Sequence, residues 1–341
     1  MSEQVDPSHI MQVGMGFFAS KTLLSAVELE LFTRLGSDGM TGSQIAEALE
    51  LDARAIPDFP DALVALQLLD RDGDGTDALY RNTNDTAVFL DKASPAYLGG
   101  ILEMGNARLY RFWGDLTEAL QTGRPQNEIK HTGTAMFEEL YSDPDRLEQF
   151  MNAMAGISAG PFHALAEKFD FSRYGTLCDV GGATGQLSII VAGRHPHMRC
   201  TSYDLAVVEP IAKRAIEAAG LDDRVSTQAG DFFAEPLPAA DVITMGLILH
   251  DWNLEGKMQL ISSAYNALPE GGALIVIENL IDEARRENAF GLLMSLNMLI
   301  EFGDAFDFTT ADLAGWCKEV GFKEMEFLAL AGPTSAGIAY K

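Results

Sequence analysis

The chain has 341 residues, 47% hydrophobic and 22% charged, a length and balance suited to two domains, or one large domain with a helical addition. Its 50 Asp and Glu against 24 Lys and Arg give a formal charge of −26, which repels phosphate backbones and sets aside nucleic acid and anionic membranes as partners. The same acid excess suits a salty habitat, and charge by itself does not choose between habitat and function.

The opening MSEQVDPSH has no basic or apolar leader region, and no uninterrupted apolar run approaches the roughly 18 residues of a membrane span. Three cysteines (Cys178, Cys200, Cys317) with no zinc-like spacing suit a reduced, cytoplasmic protein with structural thiols. Ile10–Leu35 reads as one long helix, with Met11, Val13, Met15, Phe17, Leu23, Leu24, Val27 and Leu31 too plentiful for one face. A helix apolar nearly all round is buried on several sides, here against a partner subunit. Thr41 is expected to cap a helix over Gly42–Glu50, with Gln44 completing a capping box. A helix at Ala62–Leu69 follows Pro57 and Pro60, and RDGDGTDALYRNT reads as a hairpin with Asp-Gly turns before Ala78–Tyr80. Helix, helix, hairpin is a winged-helix pattern. The segment is rich in Asp and poor in Arg and Lys, so DNA binding gives way to dimer packing.

Ser94–Thr122 and Ser142–Phe169 are expected to be helical, joined by the loop TGRPQNEIKHTG. Met104, Leu109, Tyr110, Phe112, Trp113, Met151, Met154 and Ile157 recur at helical spacing and read first as core packing. Arg108 and Arg111 are cations in an apolar helix of an acidic protein, either plain surface charges or a seat for a substrate carboxylate.

From Thr176 strands alternate with helices. The expected strands are Thr176–Val180, Arg199–Tyr203, Val225–Ala229, Val242–Met245, Ala273–Ile277, Met325–Ala329 and Gly337–Tyr340. The expected helices are Gly185–Arg194, Val207–Ala219, Lys257–Leu268 and Asp312–Val320. Such alternation makes a parallel sheet covered on both faces, with ligands at the carboxyl ends of its strands. The last two strands have no helix between them, so the final one should run antiparallel.

Four features fall at those carboxyl ends: the glycine turn in TLCDVGGATGQLS, Asp204 closing TSYDL, GDFF at Gly230–Phe233, and ILHDW at residues 248–252. An acid after the second strand can accept hydrogen bonds from both ribose hydroxyls, and Asp231 is placed to bond an adenine amine with Phe232 flanking the ring. For each acid alone a helix cap is an equal reading. A dinucleotide fingerprint needs glycines where the chain has Gly181, Ala183 and Gln186, and a P-loop needs a Gly-Lys-Ser/Thr that is missing; both are excluded.

DVGGATG, YDL, GDFF, ILHDW, ALPEGGALIVIE and the late GF strand start, in this order, resemble the class I S-adenosylmethionine-dependent methyltransferases. More narrowly they resemble the caffeate/hydroxyindole O-methyltransferase family with its N-terminal dimerisation domain. The resemblance implies a Rossmann-like seven-stranded sheet (166–341) behind a helical, winged-helix-like dimerisation and substrate-covering domain (1–165), and a homodimer acting on a small molecule. It implies S-adenosyl-L-methionine as cofactor, held by Asp179, Gly181, Gly182, Gly185, Asp204, Leu205, Gly230, Asp231, Phe232, Met245, Gly246 and Trp252. His250 matches the catalytic base, Glu278 the carboxylate that orients it, and Asp307 a second such acid. Met104, Arg108, Arg111, Tyr141, Met151, Met154, Met294 and Met298 are the candidate acceptor contacts. A hydroxyl acceptor loses its proton as it attacks the sulfonium methyl, and histidine titrates near neutrality, which fits it for that step. No metal is expected, since no carboxylate cluster in the motifs looks like an octahedral site.

Three positions depart from the family pattern: Ala183 replaces a glycine, Gly246 stands where relatives carry a basic residue, and FGDAF replaces an Asn/Pro-Gly-Gly segment. A second acceptor class is a thioether acid such as 4-methylthio-2-hydroxybutyrate. Its sulfonium product could be stabilised by Glu278, Glu301 or Asp307, and the acidic composition, consistent with a marine source, suits it. A third reading, a cofactor-binding regulator without turnover, is opposed by the intact His250 and Glu278.

Overall fold

The computed structural model describes residues 5–133 and 140–341, so the first four residues of the acidic start lie outside it. The chain forms two compact units, up to Arg111 and from Phe112 onward. The helices of 112–165, grouped by sequence with the N-terminal domain, thus fall in the second unit.

In the first unit the expected helix Ile10–Leu35 is three helices, Ser8–Gly14, Gly16–Glu28 and Leu31–Leu35. Gly14 and Gly16 flank the first break at Met15, where helix propensity is weak, and Glu30 makes the second by taking a left-handed φ of 58°. Burial also divides. Ala26, Val27, Leu31, Phe32 and Leu35 enter the core, while Ile10, Met11, Val13, Phe17 and Phe18 stay exposed, Ile10 by 73%. The expected all-round burial is therefore not met within one chain. By length and composition Ser8–Glu28 would also suffice to cross a bilayer.

Thr41 caps Gly42–Ala48: Gln44 N donates to Thr41 Oγ1 (3.3 Å) and Thr41 N donates to Gln44 Oε1 (2.8 Å). The next helix is Asp58–Ala65, which ends before the expected Leu69 because Gln67 turns left-handed (φ 60°) and Leu69 opens a strand. β1 (Met40–Thr41), β2 (Leu69–Asp72) and β3 (Leu79–Asn82) form an antiparallel sheet in the order β1-β3-β2, the hairpin joining β2 to β3. The last helical stretch begins at Gly99, not Ser94, and widens into a π turn over Gly105–Leu109.

The second unit is built on seven strands: β4 (Thr176–Val180), β5 (Arg199–Asp204), β6 (Val225–Ala229), β7 (Val242–Gly246), β8 (Ala273–Glu278), β9 (Glu324–Ala329) and β10 (Ser335–Tyr340). Their order is β6-β5-β4-β7-β8-β10-β9; all neighbours from β6 to β8 are parallel, and β10 is antiparallel to both β8 and β9. Every residue of β8 (ALIVIE) is buried, as expected of an apolar strand covered on both faces. Helices Gln186–Arg194, Glu209–Ala218, Leu254–Ala267 and Thr310–Val320 connect the strands near their expected places. Among the described residues of this unit, two helices fall outside the expected set, as Asn84–Phe89 does in the first unit. Ala289–Phe302 is apolar on most of its faces and shows no single stripe, and Glu128–Thr132, inside the expected loop, is started by Asn127, whose side chain accepts from Ile129 N. The strand order reverses between β4 and β7, which opens a crevice at their carboxyl ends.

Candidate functional site

Beyond β4 the backbone turns through Gly181 (φ 69°) and Gly185 (φ 74°) into helix Gln186–Arg194. A Cβ on Gly181 would run into the Ile248 δ-methyl, so only glycine fits both the angle and the space. Gly181 N and Gly182 N both donate to Tyr203 O (2.9 and 3.3 Å), which pins the turn to the end of β5. From the same end Asp204 accepts Ala183 N at Oδ2 (2.9 Å) and Leu205 N at Oδ1 (2.7 Å). Burial raises the Asp204 carboxyl above its ordinary range, with those two amides opposing the shift. Each oxygen keeps a further lone pair for a ligand hydroxyl. Ala183 holds a left-handed φ of 48°, so the turn keeps the glycine conformation although the residue is alanine. Beneath the turn Thr244 Oγ1 donates to Asp179 Oδ1 (2.7 Å); burial pushes Asp179 up to about 7 against that bond.

Gly230 lies close against the Tyr203 ring, and Asp231 is exposed, its Oδ1 accepting Phe233 N (2.8 Å). Phe232, Phe233 and Trp252 meet edge to face, Phe233 and Trp252 with centroids 4.6 Å apart. Trp252 Nε1 is buried with no hydrogen-bond partner among the described residues. Met245 is fully buried in the core. At Gly246 a Cβ would lie 3.1 Å from the Phe162 ring, so an aromatic side chain occupies the space beside the missing basic residue.

After β7 a short turn, Leu249–Asp251, presents His250, which is 6% exposed. Glu278, the last residue of β8, accepts from it twice: Nδ1 lies 2.6 Å from Oε2, and His250 N donates to Oε1 (3.2 Å). Asp251 Oδ1 is 3.2 Å from Nε2. Asp307 closes the cluster, 3% exposed, with neither carboxylate oxygen hydrogen-bonded within the described residues. One donor atom from each of His250, Glu278 and Asp307 lies within 4.8 Å of the others. Burial disfavours the imidazolium, but the charges and hydrogen bonds of Glu278 and Asp251 outweigh it and raise His250 well above its ordinary value. Burial, aided by Glu278 and Asp251 and opposed by the imidazolium, pushes Asp307 up to about 7. A histidine with two acids could ligate a divalent ion. Here both ring nitrogens already face carboxylates, an arrangement suited to handling a proton.

Tyr141 and Met151 pack with Leu147, Val208 and Ile211 beside Ala183, and burial together with the charges of Asp204 and Asp251 raises the Tyr141 hydroxyl. Met154 is half-buried on helix Pro144–Lys168; on helix Ala289–Phe302 Met298 is buried and Met294 half-buried. Met104, Arg108 and Arg111 lie in the first unit, Arg108 Nη1 being 4.0 Å from the Met104 sulfur. Glu301 is engaged by Asn127, whose Nδ2 donates to its Oε2 (2.8 Å). Three members of the site escaped the sequence reading. Asp251 was seen only as a neighbour of His250; Thr244 carries no motif. Lys257 is fully buried, and its one signal was a place on the apolar stripe with Leu260, Ile261 and Ala264.

Comparison with known proteins matches residues 113–323 to an O-methyltransferase domain and residues 11–92 to an O-methyltransferase dimerisation domain. The chain is 38% identical to the tetracenomycin polyketide synthesis 8-O-methyl transferase TcmO of Streptomyces glaucescens, over 98% of this chain and 97% of that protein. It is 34% identical to the N,N-dimethyltransferase OxyT of Streptomyces rimosus, over 92% and 90% of the two chains. Human N-acetylserotonin methyltransferase, solved in complex with S-adenosylmethionine, superposes with a TM-score of 0.90 at 28% identity, covering 100% of this chain and 99% of that one. With both of its units matched, the chain belongs to the S-adenosylmethionine-dependent O-methyltransferase family.

Proposed function

We propose that the protein methylates a phenolic or enolic hydroxyl of an aromatic, polyketide-like acceptor, with His250 as general base. The observation that carries this is the buried pair of His250 Nδ1 and Glu278 Oε2 at 2.6 Å, with the unpartnered Asp307 carboxylate converging on it. When bound, S-adenosylmethionine supplies an electrophilic methyl group. The chain's residues suit that guest: the turn admits close backbone approach, Asp204 has lone pairs for ribose hydroxyls, and Asp231, Phe232 and Trp252 frame a place for the base.

Glu278 fixes the imidazole with Nδ1 protonated, so that Nε2 faces the acceptor proton. Glu278 and Asp251 favour the imidazolium, and a cation entering the cluster favours the neutral ring that can act as base. Asp251, 3.2 Å from Nε2, must yield that nitrogen to the acceptor hydroxyl. Asp307 then stabilises the imidazolium formed in the transfer. A thioether has no proton to lose and leaves this apparatus idle, while Glu301, one candidate partner for a sulfonium product, is held by Asn127. TcmO's polyketide acceptor is what directs the acceptor class here.

The homodimer belongs to the same proposal. The dimerisation-domain match at 11–92 covers most of the exposed apolar residues of the first two helices, a surface that a second copy would cover. Incubation with methyl-labelled S-adenosylmethionine and a panel of hydroxynaphthoates, hydroxyindoles, amines and thioether acids, followed by mass analysis, tests the function. His250→Ala is expected to lower transfer to a phenol by roughly 10²–10⁴. Unchanged transfer in that variant, or transfer to thioethers alone, would overturn the proposal.

A further inference from the structure

Lys257 is fully buried and sits in the first turn of helix Leu254–Ala267, where the helix dipole opposes a cation. Burial lowers the ammonium to about 8 against the pull of the surrounding acids, which still leaves it charged at neutral pH. Its Nζ donates to Trp252 O in the HDW segment. The same ammonium lies 3.7 Å from the Phe306 ring centroid and 5.6 Å from that of Phe308, the residues on either side of Asp307. The charges acting on it come from Glu278 on β8, from Asp304 and Asp307 in the segment after helix Ala289–Phe302, and from Asp251 in the His250 turn. A second link, Asn253 Nδ2 to Asp304 Oδ2 (2.8 Å), joins the same two segments.

We infer that Lys257 is a positioning residue, a buried cation that ties the segment bearing His250 to the segment bearing Asp307 and sets the charge against which the imidazole works. It touches neither reacting atom. Its ammonium offsets part of the repulsion among the four carboxylates, which lets Asp307 stay close to His250 without hydrogen-bonding to it. Its positive charge also disfavours the imidazolium and so helps His250 to release its proton. The catalytic half of this inference rests on His250 being the base.

The test is imidazole NMR titration of the full-length protein labelled with ¹⁵N-histidine, with His250→Asn assigning the signal and S-adenosylmethionine binding reporting the fold. Lys257→Met is expected to move the His250 midpoint upward by about one pH unit. Lys257→Arg, which keeps the charge, is expected to restore it to within about 0.3 pH units. Where Lys257→Met does not fold, Phe306→Leu removes the ring beneath the ammonium and keeps the charge; an upward drift of about 0.3 pH units or more is expected. An unmoved midpoint in the folded variant overturns the inference. Methyl transfer that survives His250→Ala overturns both the inference and the proposed function, whereas an inactive His250→Ala beside an unmoved midpoint overturns the inference alone.

Discussion

Glu278→Gln removes one charge and almost no volume from the centre of the cluster. Glu278 is 1% exposed and accepts from His250 at both oxygens, at 2.6 and 3.2 Å, so its charge is felt with little screening. Taking about 4 Å between charge centres and an effective dielectric near 20, the lost attraction to the imidazolium is about 4 kcal/mol, roughly 10³ in rate. The substitution also disturbs the tautomer. A glutamine amide can donate to Nδ1, which places the proton on Nε2, so the nitrogen that faces the acceptor can no longer take its proton. Turnover, followed as S-adenosylhomocysteine release, is expected to fall by roughly 10²–10⁴. The pH dependence carries the sharper sign. Glu278 raises His250, so its loss lowers the imidazole value and moves the rising limb of kcat/KM toward acid. A variant that keeps its rate to within about tenfold, with an unmoved limb, would refute the assignment of Glu278 as the orienting acid.

Asp307→Asn should separate catalysis from stability. The wild-type carboxyl titrates at about 7 when folded against 3.8 ordinarily, so the folded state binds the extra proton and wild-type stability declines as pH rises through this window. The asparagine variant lacks this decline, and chemical denaturation should show it gaining about 2 kcal/mol on wild type between pH 5 and pH 8; a constant difference would count against the buried-acid reading. At Ala183, φ 48°, glycine is expected to stabilise by about 0.5 kcal/mol and valine to destabilise by about 2 kcal/mol, as denaturation midpoints would report. Replacing Val13, Phe17 and Phe18 together by Gln is expected to yield a monomer by light scattering, and a variant that stays dimeric would relocate the subunit contact.

The sheet was legible because its strands are short apolar runs between glycines and acids, and because a helix between successive strands makes them parallel. ALIVIE reads directly as a buried strand, whereas DVGGATG taken alone reads equally as an ordinary strand–helix turn and gains meaning only beside the acids at the following strand ends. The helix breaks at Met15 and Glu30 were not legible, since Glu30 carries no sign of its left-handed angle and the apolar pattern runs on through both. Ala289–Phe302 was missed for the converse reason: apolar residues on most sides give no stripe to count. Within the site, His250 and Glu278 could be read from their strand ends. The pairing of Asp251 with Nε2 joins neighbours in sequence and depends on the backbone of one short turn, while the burial of Lys257 depends on a helix meeting Phe306 and Phe308 far along the chain, and neither leaves a local mark.

The reversed last strand has a consequence for the proposed base. β10 enters between β8 and β9 instead of joining the sheet's rim, and pairs Ser335 with Glu278 and Tyr340 with Ala273. Without it β8 would be the sheet's edge, open to water along one side. With it, the strand that ends in Glu278 has hydrogen-bonded neighbours on both flanks, and its amide protons are expected to exchange slowly. His250 rides on the one-turn segment Leu249–Asp251, while the carboxylate it leans on ends a strand paired along both edges.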